Sequence, residues 1–528
     1  MSLLRSTICK KISPTCWIFF LFLVLHVFLF NINTAEWGDS YRILRAGEEL
    51  RRGVYPEDEK RPPLMSYFLS LRPSLADPVY FGRALLLVFS VMSFAIFSGL
   101  AEIYIKSDRY KNLALLLFSL NPVYLYWSIR IMADVPFAVF VLLAFYLFSK
   151  WRGSMNGFKC VLLGLLAGLS VLMRFEGYLL LGSLAAGLMF HSISDLVGRF
   201  TASIRKRWVN VVAYISASLF VLVPYIVYRN PFSSSYLGEP SGREYDAHMG
   251  LVYLFSFIFL FGFVHAAVFL VRGRKLSYEF LSKHFGLFVF VVLEMLLILA
   301  WPAAIPRLFV CVIPFFIIMI SLSVKEFFEE PLVKRNVLDL AVLLMPFVYV
   351  LAQYLLGLQF LVMTRKLIFL VFILQLPIVL AVIARKYAWF VYSVSLSTLV
   401  WSFLVIIMHK DIFVSVKSAA DYSVNNLQGK IGHNDLSSVS NWYLNYVGDK
   451  TVGKYYDIDS GGKLTSDFVY ENNLDYLIIT NEHNLNLEID FDKRPYLKVL
   501  KEFRYNVNGS EFVTYVAKVE KEELCNCR

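Results

Sequence analysis

Residues 83–105 read RALLLVFSVMSFAIFSGLAEIYI, and the charged side chains of this run, Arg83 and Glu102, lie near its two ends. A helix needs about 20 predominantly apolar residues to cross the hydrocarbon core of a membrane, so this run is long enough to span one. Runs of the same kind recur along most of the chain between charged or Pro-rich breaks. The pattern predicts a polytopic α-helical membrane protein.

The predicted membrane-spanning helices number about thirteen by this length criterion. The first has a basic start like that of a signal peptide, but no small-residue cleavage site precedes Asn31, so we expect an uncleaved anchor. The predicted spans lie near 15–31, 83–105, 111–128, 134–150, 157–174, 177–192, 208–228, 249–271, 285–301, 306–323, 337–357, 366–384 and 387–408.

The overall composition supports the same class of protein. Of the 528 residues, 58% are apolar and 17% are charged, against about 45–50% and about 25% in soluble globular domains. The net charge of +11 is unevenly distributed, because residues 410–528 contain 14 Lys and Arg against 18 Asp and Glu. The basic excess therefore belongs to the membrane part, where it sets topology, and we expect no nucleic-acid partner.

The loops predict an orientation, because loops rich in Lys and Arg resist translocation. Basic loops such as 106–111 and 198–207 fall on one side if the N-terminus is cytoplasmic. An odd number of spans then places the C-terminal part outside. We expect a membrane domain over 1–411 with a long first outer loop at 31–82, in the plasma membrane, or in the endoplasmic reticulum if the source is eukaryotic.

The C-terminal part, 412–528, predicts a small extracytoplasmic α/β domain. Its helical patterns lie near 435–447 and 463–473, and Asn508-Gly509 is a hairpin signal. The strand-like runs are 451–456, 475–480 and 511–519.

Polar residues concentrate on the predicted outer side of the membrane domain. A carboxylate can accept a proton from an attacking hydroxyl, and guanidinium groups can hold a phosphate and stabilise its charge when it leaves. Each residue alone also fits a structural role, since span-end arginines snorkel and Asp134 fits a helix cap. The concentrated residues are Glu36, Asp39, Arg61, Arg130, Asp134, Arg174, Glu176 and Arg307.

The stretch EWGDSYRILRAGEELRRGVYPEDEKRPPLMSYFL at 36–69 resembles the first outer loop of membrane glycosyltransferases with the GT-C fold. The resemblance is to the protein O-mannosyltransferase and lipid A aminoarabinose transferase relatives. RIMADVP at 130–136, RFEG at 174–177 and RLFVCVIP at 307–314 are similar to further elements of that family. Arg61 stands where the family usually has Lys, and no WWD-type sequence occurs in the tail, which disfavours transfer of a whole oligosaccharide to Asn.

The resemblance implies a transferase that uses a polyprenyl- or dolichyl-phosphate-linked monosaccharide, with inversion at the sugar carbon. It implies that Asp39 is the catalytic base, and that Arg61, Arg307 and Arg130 bind the donor phosphate. A divalent cation stays open as a cofactor, and the acceptor could be a protein, a glycan or a lipid. Further candidates are Glu36 and Asp134 for acceptor or metal binding, and Tyr41, Tyr55, Arg174 and Glu176 for the pocket.

The alternative function is a flippase or secondary transporter of a lipid-linked sugar. Glu294 lies in the middle of a predicted span, where an ionisable residue is a functional candidate, and His26 and His265 also lie within spans. Against transport, the charged residues gather at one face, and no pair of broken helices occurs in matching halves of the sequence. The absence of GxxxxGK[ST] and GxGxxG motifs argues against an ATP-driven pump and a dinucleotide enzyme.

Overall fold

The chain folds into a bundle of apolar helices followed by a small sheet. The computed structural model describes residues 13–198, 200–229, 278–301, 306–329, 368–435, 438–448, 466–482, 491–492, 494–507 and 510–526.

The helices of the membrane domain follow the predicted apolar runs closely. A short 3-10 helix, Pro306–Phe309, precedes α13. The helices are α1 (Pro14–Leu29), α2 (Gly38–Arg51), α3 (Leu64–Ser70), α4 (Pro78–Tyr104), α5 (Asp108–Leu120), α6 (Pro122–Ser128), α7 (Asp134–Trp151), α8 (Gly157–Met173), α9 (Gly177–Met189), α10 (Ile193–Gly198), α11 (Phe200–Arg229), α12 (Phe285–Ala300), α13 (Ile313–Glu329), α14 (Ile368–Ile383) and α15 (Tyr387–His409).

Four helices of the described residues, α4, α7, α11 and α15, are long and apolar enough to cross a membrane. Shorter apolar helices include α1, α8, α9 and α12. The predicted spans 249–271 and 337–357 lie outside the described residues, so the predicted number of about thirteen stays a prediction.

The span predicted at 111–128 is wrong as a single helix. The chain instead forms α5 and α6, separated at Asn121. The Asn121 side chain accepts hydrogen bonds from the backbone N–H groups of Val123 and Tyr124, at 3.1 and 2.9 Å. Pro122 occupies the first position of α6, where its missing N–H costs nothing. The cap and the proline together restart the helix.

The loop predicted over 31–82 contains an amphipathic helix. This helix, α2, buries Tyr41 and Leu44 and ends just before Gly53. Gly53 has a φ of +85°, a left-handed conformation that favours glycine after a helix. Because α2 packs on the bundle through these buried side chains, the position of its first turn, which contains Asp39, is fixed by the fold.

Close helix packing fixes α12 against α9. A Cβ atom on Gly187 of α9 would lie 2.9 Å from the Cα atom of Gly286 on α12. Such a distance is shorter than van der Waals contact, so the two glycines allow the helix backbones to approach. The approach places Glu294 of α12 near the loop between α8 and α9.

The C-terminal part contains helices α16 (Val414–Asn426), α17 (Val439–Trp442), α18 (Ser466–Glu471) and α19 (Lys521–Asn526) and strands β1 (Ile431–His433), β2 (Tyr476–Thr480), β3 (Leu497–Val507) and β4 (Ser510–Val519). The sheet order is β1-β2-β4-β3. β1 pairs parallel with β2, and the other neighbours pair antiparallel. α16 packs on the sheet through Ala419, Ala420, Ile478 and Val516.

The predicted strands at 475–480 and 511–519 are confirmed, and the strand predicted at 451–456 lies outside the described residues. In place of one helix over 435–447, α17 is followed by a π-helix, Tyr443–Val447. β3 and β4 flank Asn508-Gly509 and pair from Val507 and Ser510 onward, as the hairpin signal indicates. β3 escaped prediction because its residues are mostly exposed and lack a period-2 apolar pattern.

Candidate active site

Asp39 is bound by two arginines from distant parts of the chain. Its Oδ1 lies 2.6 Å from Nη2 of Arg61, and its Oδ2 lies 3.0 Å from Nη1 of Arg307. Arg61 belongs to the first loop, just before α3, and Arg307 belongs to the 3-10 helix before α13. We call Asp39, Arg61 and Arg307 the Asp39 triad. The sequence motifs placed these residues at one face, and the fold brings them into contact.

The charge state of Asp39 follows from the triad. Burial raises the pKa of the Asp39 carboxyl, but the positive charges of Arg61 and Arg307 outweigh burial and lower that pKa to about 2. The position of Asp39 in the first turn of α2 also favours a negative charge. Asp39 is therefore ionised at neutral pH, and 26% of its side chain is exposed.

The loop around Arg61 is held by Tyr55, a predicted pocket residue, and by Glu59 and Arg229, which sequence reasoning missed. Glu59, whose side chain is 2% exposed, binds Nη1 of Arg61 at 2.9 Å. Tyr55 donates its hydroxyl hydrogen to the Arg61 carbonyl at 2.9 Å. Arg229 at the end of α11 donates to the carbonyl oxygen of Pro56 at 2.7 Å and also to that of Glu59. These contacts hold the loop that carries Arg61.

Arg307 is positioned partly by an aromatic ring. Its guanidinium carbon lies 5.8 Å from the ring centroid of Trp127, a residue of α6. Cation–π contact of this kind stabilises a guanidinium in a fixed orientation. Trp127 lies in an apolar run with no motif around it, so the sequence offered no signal for this role.

A second group of charges lies beside the triad. Arg174 binds Oδ1 of Asp134 at 2.6 Å and also binds Glu176. Burial raises the pKa of Glu176, but the charge of Arg174 outweighs it, so the net direction is downward. Asp134 makes no side-chain capping bond at the start of α7, so the capping role that the sequence allowed is wrong. We call Asp134, Arg174 and Glu176 the Arg174 group.

The two arginines of the triad and all three residues of the Arg174 group line one cavity of about 280 Å³, and Asp39 reaches this cavity only through its contacts with Arg61 and Arg307. The remaining wall is largely apolar and includes Met65, Met173, Leu297 and Ile298. A mostly apolar pocket with a few convergent polar groups is typical of small-molecule sites. The charged lining residues are Arg61, Arg307, Asp134, Arg174, Glu176 and Glu294.

Glu36 and Arg130 do not line this cavity. Glu36 is fully buried, binds Nε of Arg83 at 2.6 Å and accepts the Ile131 backbone N–H at 3.3 Å. Arg130 is 1% exposed and donates to the His409 carbonyl at 3.0 Å. These contacts tie the first loop and the 130–134 segment to the bundle. Arg130 was predicted to bind the donor phosphate with Arg61 and Arg307, but it does not line the cavity that these two arginines line.

Tyr41 also lies away from the cavity. Its hydroxyl accepts the Glu36 backbone N–H at 3.0 Å and lies 3.5 Å from the Tyr443 hydroxyl of the C-terminal part. The ring of Trp442 lies 6.3 Å from that of Tyr41, centroid to centroid. The C-terminal domain therefore contacts the helix that carries Asp39.

Three predicted candidates, Glu36, Asp134 and His26, contact other side chains or backbone atoms of the chain. Within the described residues, no group of three or more His, Cys, Asp or Glu side chains is placed to hold a metal ion. Glu36 and Asp134, the candidate metal ligands, each bind an arginine instead. His26 bonds to the Ser128 hydroxyl at 2.9 Å and to the Phe22 carbonyl at 2.9 Å, as a buried histidine within the bundle does.

Solved structures share this architecture, although no protein-family model matches the chain and no curated protein matches its sequence. ArnT from Cupriavidus metallidurans, in a crystal structure bound to undecaprenyl phosphate, matches with a TM-score of 0.63 at 13% identity. The match covers 96% of this chain and 98% of that one. The apo structure of the same ArnT gives a TM-score of 0.64, also at 13% identity with 96% and 98% coverage.

The oligosaccharyltransferase of Archaeoglobus fulgidus also has a similar structure. The structure tethered to an acceptor peptide that contains the NVT sequon matches with a TM-score of 0.51 and 9% identity, over 89% of this chain and 69% of that one. ArnT and the oligosaccharyltransferase are membrane glycosyltransferases with the GT-C fold. The chain therefore has the GT-C fold, as its motifs led us to expect, and its apolar helices make it an integral membrane protein.

Proposed function

We propose that the chain is a glycosyltransferase that moves a monosaccharide from a polyprenyl- or dolichyl-phosphate donor to an acceptor hydroxyl, with inversion at the sugar carbon. The observation that carries this proposal is the Asp39 triad, with its two guanidinium groups at 2.6 and 3.0 Å from one partly exposed carboxylate. Structures of the same fold contain undecaprenyl phosphate in ArnT and dolichol-phosphate in the oligosaccharyltransferase, which supports a lipid-phosphate donor here.

The donor phosphate is proposed to bind to Arg61 and Arg307. Phosphate oxygens accept the same hydrogen bonds from guanidinium groups as the carboxylate oxygens of Asp39 do. A phosphate that shares these cations with Asp39 weakens their hold on the carboxylate. The pKa of Asp39 then rises from about 2, which makes Asp39 a better base when the donor is bound.

The chemical step follows from this arrangement. Asp39 accepts the proton of the acceptor hydroxyl while the acceptor oxygen forms a bond to the anomeric carbon of the sugar. The bond between that carbon and the phosphate oxygen breaks, and the electron pair leaves with the polyprenyl phosphate. Arg61 and Arg307 stabilise the charge that develops on the leaving phosphate. Attack opposite the leaving group inverts the anomeric centre.

The remaining roles are assigned by position. The Arg174 group lines the cavity beside the triad and is proposed to position the acceptor or the sugar. The acceptor is a protein, a glycan or a lipid, and the sugar is a hexose or a pentose. Transfer takes place at the outer membrane face, with the N-terminus cytoplasmic and the C-terminal domain extracytoplasmic.

The test is an assay of sugar transfer by the purified chain in detergent. The assay uses polyprenyl-phosphate monosaccharides labelled in the sugar and a cell-surface glycan and lipid extract as acceptor. We expect D39N to lower the transfer rate roughly 100- to 10,000-fold, the usual contribution of a general base. D58N is the matched control in the same loop, because Asp58 binds Arg45 at an exposed site.

Three other outcomes would contradict the proposal, each in a different way. Equal transfer by D39N and the wild type would remove Asp39 from the mechanism. Movement of the labelled lipid across sealed vesicles, without transfer in detergent, would favour the flippase. Neither activity would leave a membrane protein with a GT-C fold and a different role.

A further inference from the structure

Glu294 is a buried carboxylate that the transfer mechanism does not use. It lies in the apolar helix α12 and is 2% exposed. Its Oε1 accepts the Cys311 thiol at 3.3 Å, and its Oε2 has no hydrogen-bond partner among the described residues. A thiol is a weak donor, so this contact offsets little of the cost of burying a carboxylate.

Asp39 and the two other carboxylates that line the cavity, Asp134 and Glu176, are each bound to an arginine. Asp39 binds Arg61 and Arg307, and Asp134 and Glu176 both bind Arg174. No ion pair to an arginine is present at Glu294 within the described ranges. Glu294 nevertheless lines the 280 Å³ cavity together with Arg61 and Arg307. Its Oε2 is therefore available for a hydrogen bond to whatever fills the cavity.

We propose that Glu294 is a specificity-determining residue that recognises the sugar of the donor. Building on the proposed function, the phosphate of the donor binds at Arg61 and Arg307, and the sugar extends along the cavity wall toward Glu294. There a hydroxyl or an ammonium group of the sugar donates a hydrogen bond to Oε2. Volumes of a few hundred Å³ are at the lower end of pockets that hold small molecules, which suits one monosaccharide.

A structural role for Glu294 predicts different behaviour. If Glu294 only pairs with Cys311, then loss of either partner should act alike, and neither loss should depend on the ligand. Recognition of a sugar instead predicts an effect that appears only when the lipid phosphate carries a sugar. The two roles are therefore separated by comparing a bare lipid phosphate with its glycosylated forms.

The experiment measures dissociation constants in detergent for three probes: polyprenyl phosphate, a polyprenyl-phosphate neutral hexose and a polyprenyl-phosphate aminopentose with a free ammonium group. The variants are E294Q, E294L and C311A. Q375L is the matched control, because Gln375 is a buried polar residue of another helix, with one oxygen that lacks a partner among the described residues, and it does not line the cavity.

We expect E294L to weaken binding of the recognised sugar lipid roughly 10- to 100-fold, as when a buried donor loses its acceptor, and to leave bare polyprenyl phosphate unchanged. E294Q keeps an acceptor, so it should retain the hexose lipid if a hydroxyl is recognised and lose the aminopentose lipid if an ammonium is recognised. C311A and Q375L should keep the wild-type preference.

Two results would overturn the proposal: equal weakening of all three probes by E294L, or the same loss of preference in C311A. A wild type that binds no polyprenyl phosphate would instead refute the proposed function itself, so the two failures are distinguishable.

Discussion

Two carboxylates of the loop after α1, Glu36 and Asp39, each bind arginine, and the two groups differ in what surrounds them. The Asp39 triad joins three separate elements at the cavity, and the Asp39 side chain is 26% exposed. Glu36 and Arg83, the Glu36 pair, are nearly closed to solvent, with side chains 0% and 11% exposed. Glu36 also binds a backbone N–H. The same chemical groups are therefore proposed to serve a reaction in one place, and they hold the fold in the other.

After D39N, the largest expected effect concerns an arginine of the triad. We expect R307A to lower the transfer rate roughly 100- to 1,000-fold, because it removes one charged donor from the developing phosphate charge. R307K should recover part of that loss, since an ammonium restores the charge but not the fork geometry. The measurement is the initial rate of labelled sugar transfer. R504A is the control, because Arg504 is 52% exposed and pairs with acids of the C-terminal sheet.

A substitution in the Glu36 pair should lower the stability of the protein and leave its transfer activity nearly unchanged. Replacing Glu36 by Gln leaves Arg83 without its carboxylate, and we expect a loss of roughly 3 kcal/mol in the free energy of unfolding. The transfer rate per folded molecule should stay near the wild-type value. Thermal unfolding in detergent and the transfer assay measure the two quantities. A folded E36Q protein that transfers no sugar would show that Glu36 takes part in the reaction. The Glu36 pair and the triad would then not differ in role.

The pH dependence of stability should report the charge of Asp39. Because the pKa of Asp39 is about 2 in the folded chain, below its unfolded value, the stability it contributes is present above about pH 4 and is lost between about pH 4 and pH 2. We expect the difference in Tm between wild type and D39N to be constant from about pH 5 to 8 and to shrink in acid. A difference that changes near neutral pH would contradict the triad.

The smallest expected effect is at the contact between the two domains. Tyr443 faces Tyr41, with their hydroxyl oxygens 3.5 Å apart. Y443F removes a weak hydrogen bond, so we expect a change of about 1 kcal/mol or less in unfolding free energy and a transfer rate near the wild-type value. A large loss of transfer in the folded Y443F protein would show that the C-terminal domain controls Asp39 directly.

The sequence predicted local features well and distant contacts poorly. Apolar runs identify helices such as α4 and α12, because burial in lipid or protein demands such runs. The family resemblance named Asp39, Arg61 and Arg307, yet only the fold shows that their side chains touch. The contacts of Glu59, Arg83 and Arg229 were not predicted, since isolated charges near helix ends have no pattern of their own. The pairing of Asp134 with Arg174 depends on how α7 packs on α8, which composition does not encode.

The most direct test of the Asp39 triad is the affinity of D39N for bare polyprenyl phosphate, measured on the same preparation that is assayed for transfer. Under the proposed function, Asp39 of the wild type competes with the phosphate for Arg61 and Arg307. We therefore expect D39N to bind polyprenyl phosphate at least as tightly as the wild type and to transfer almost no sugar. Weaker binding of polyprenyl phosphate by a folded D39N protein would contradict a phosphate site at these two arginines.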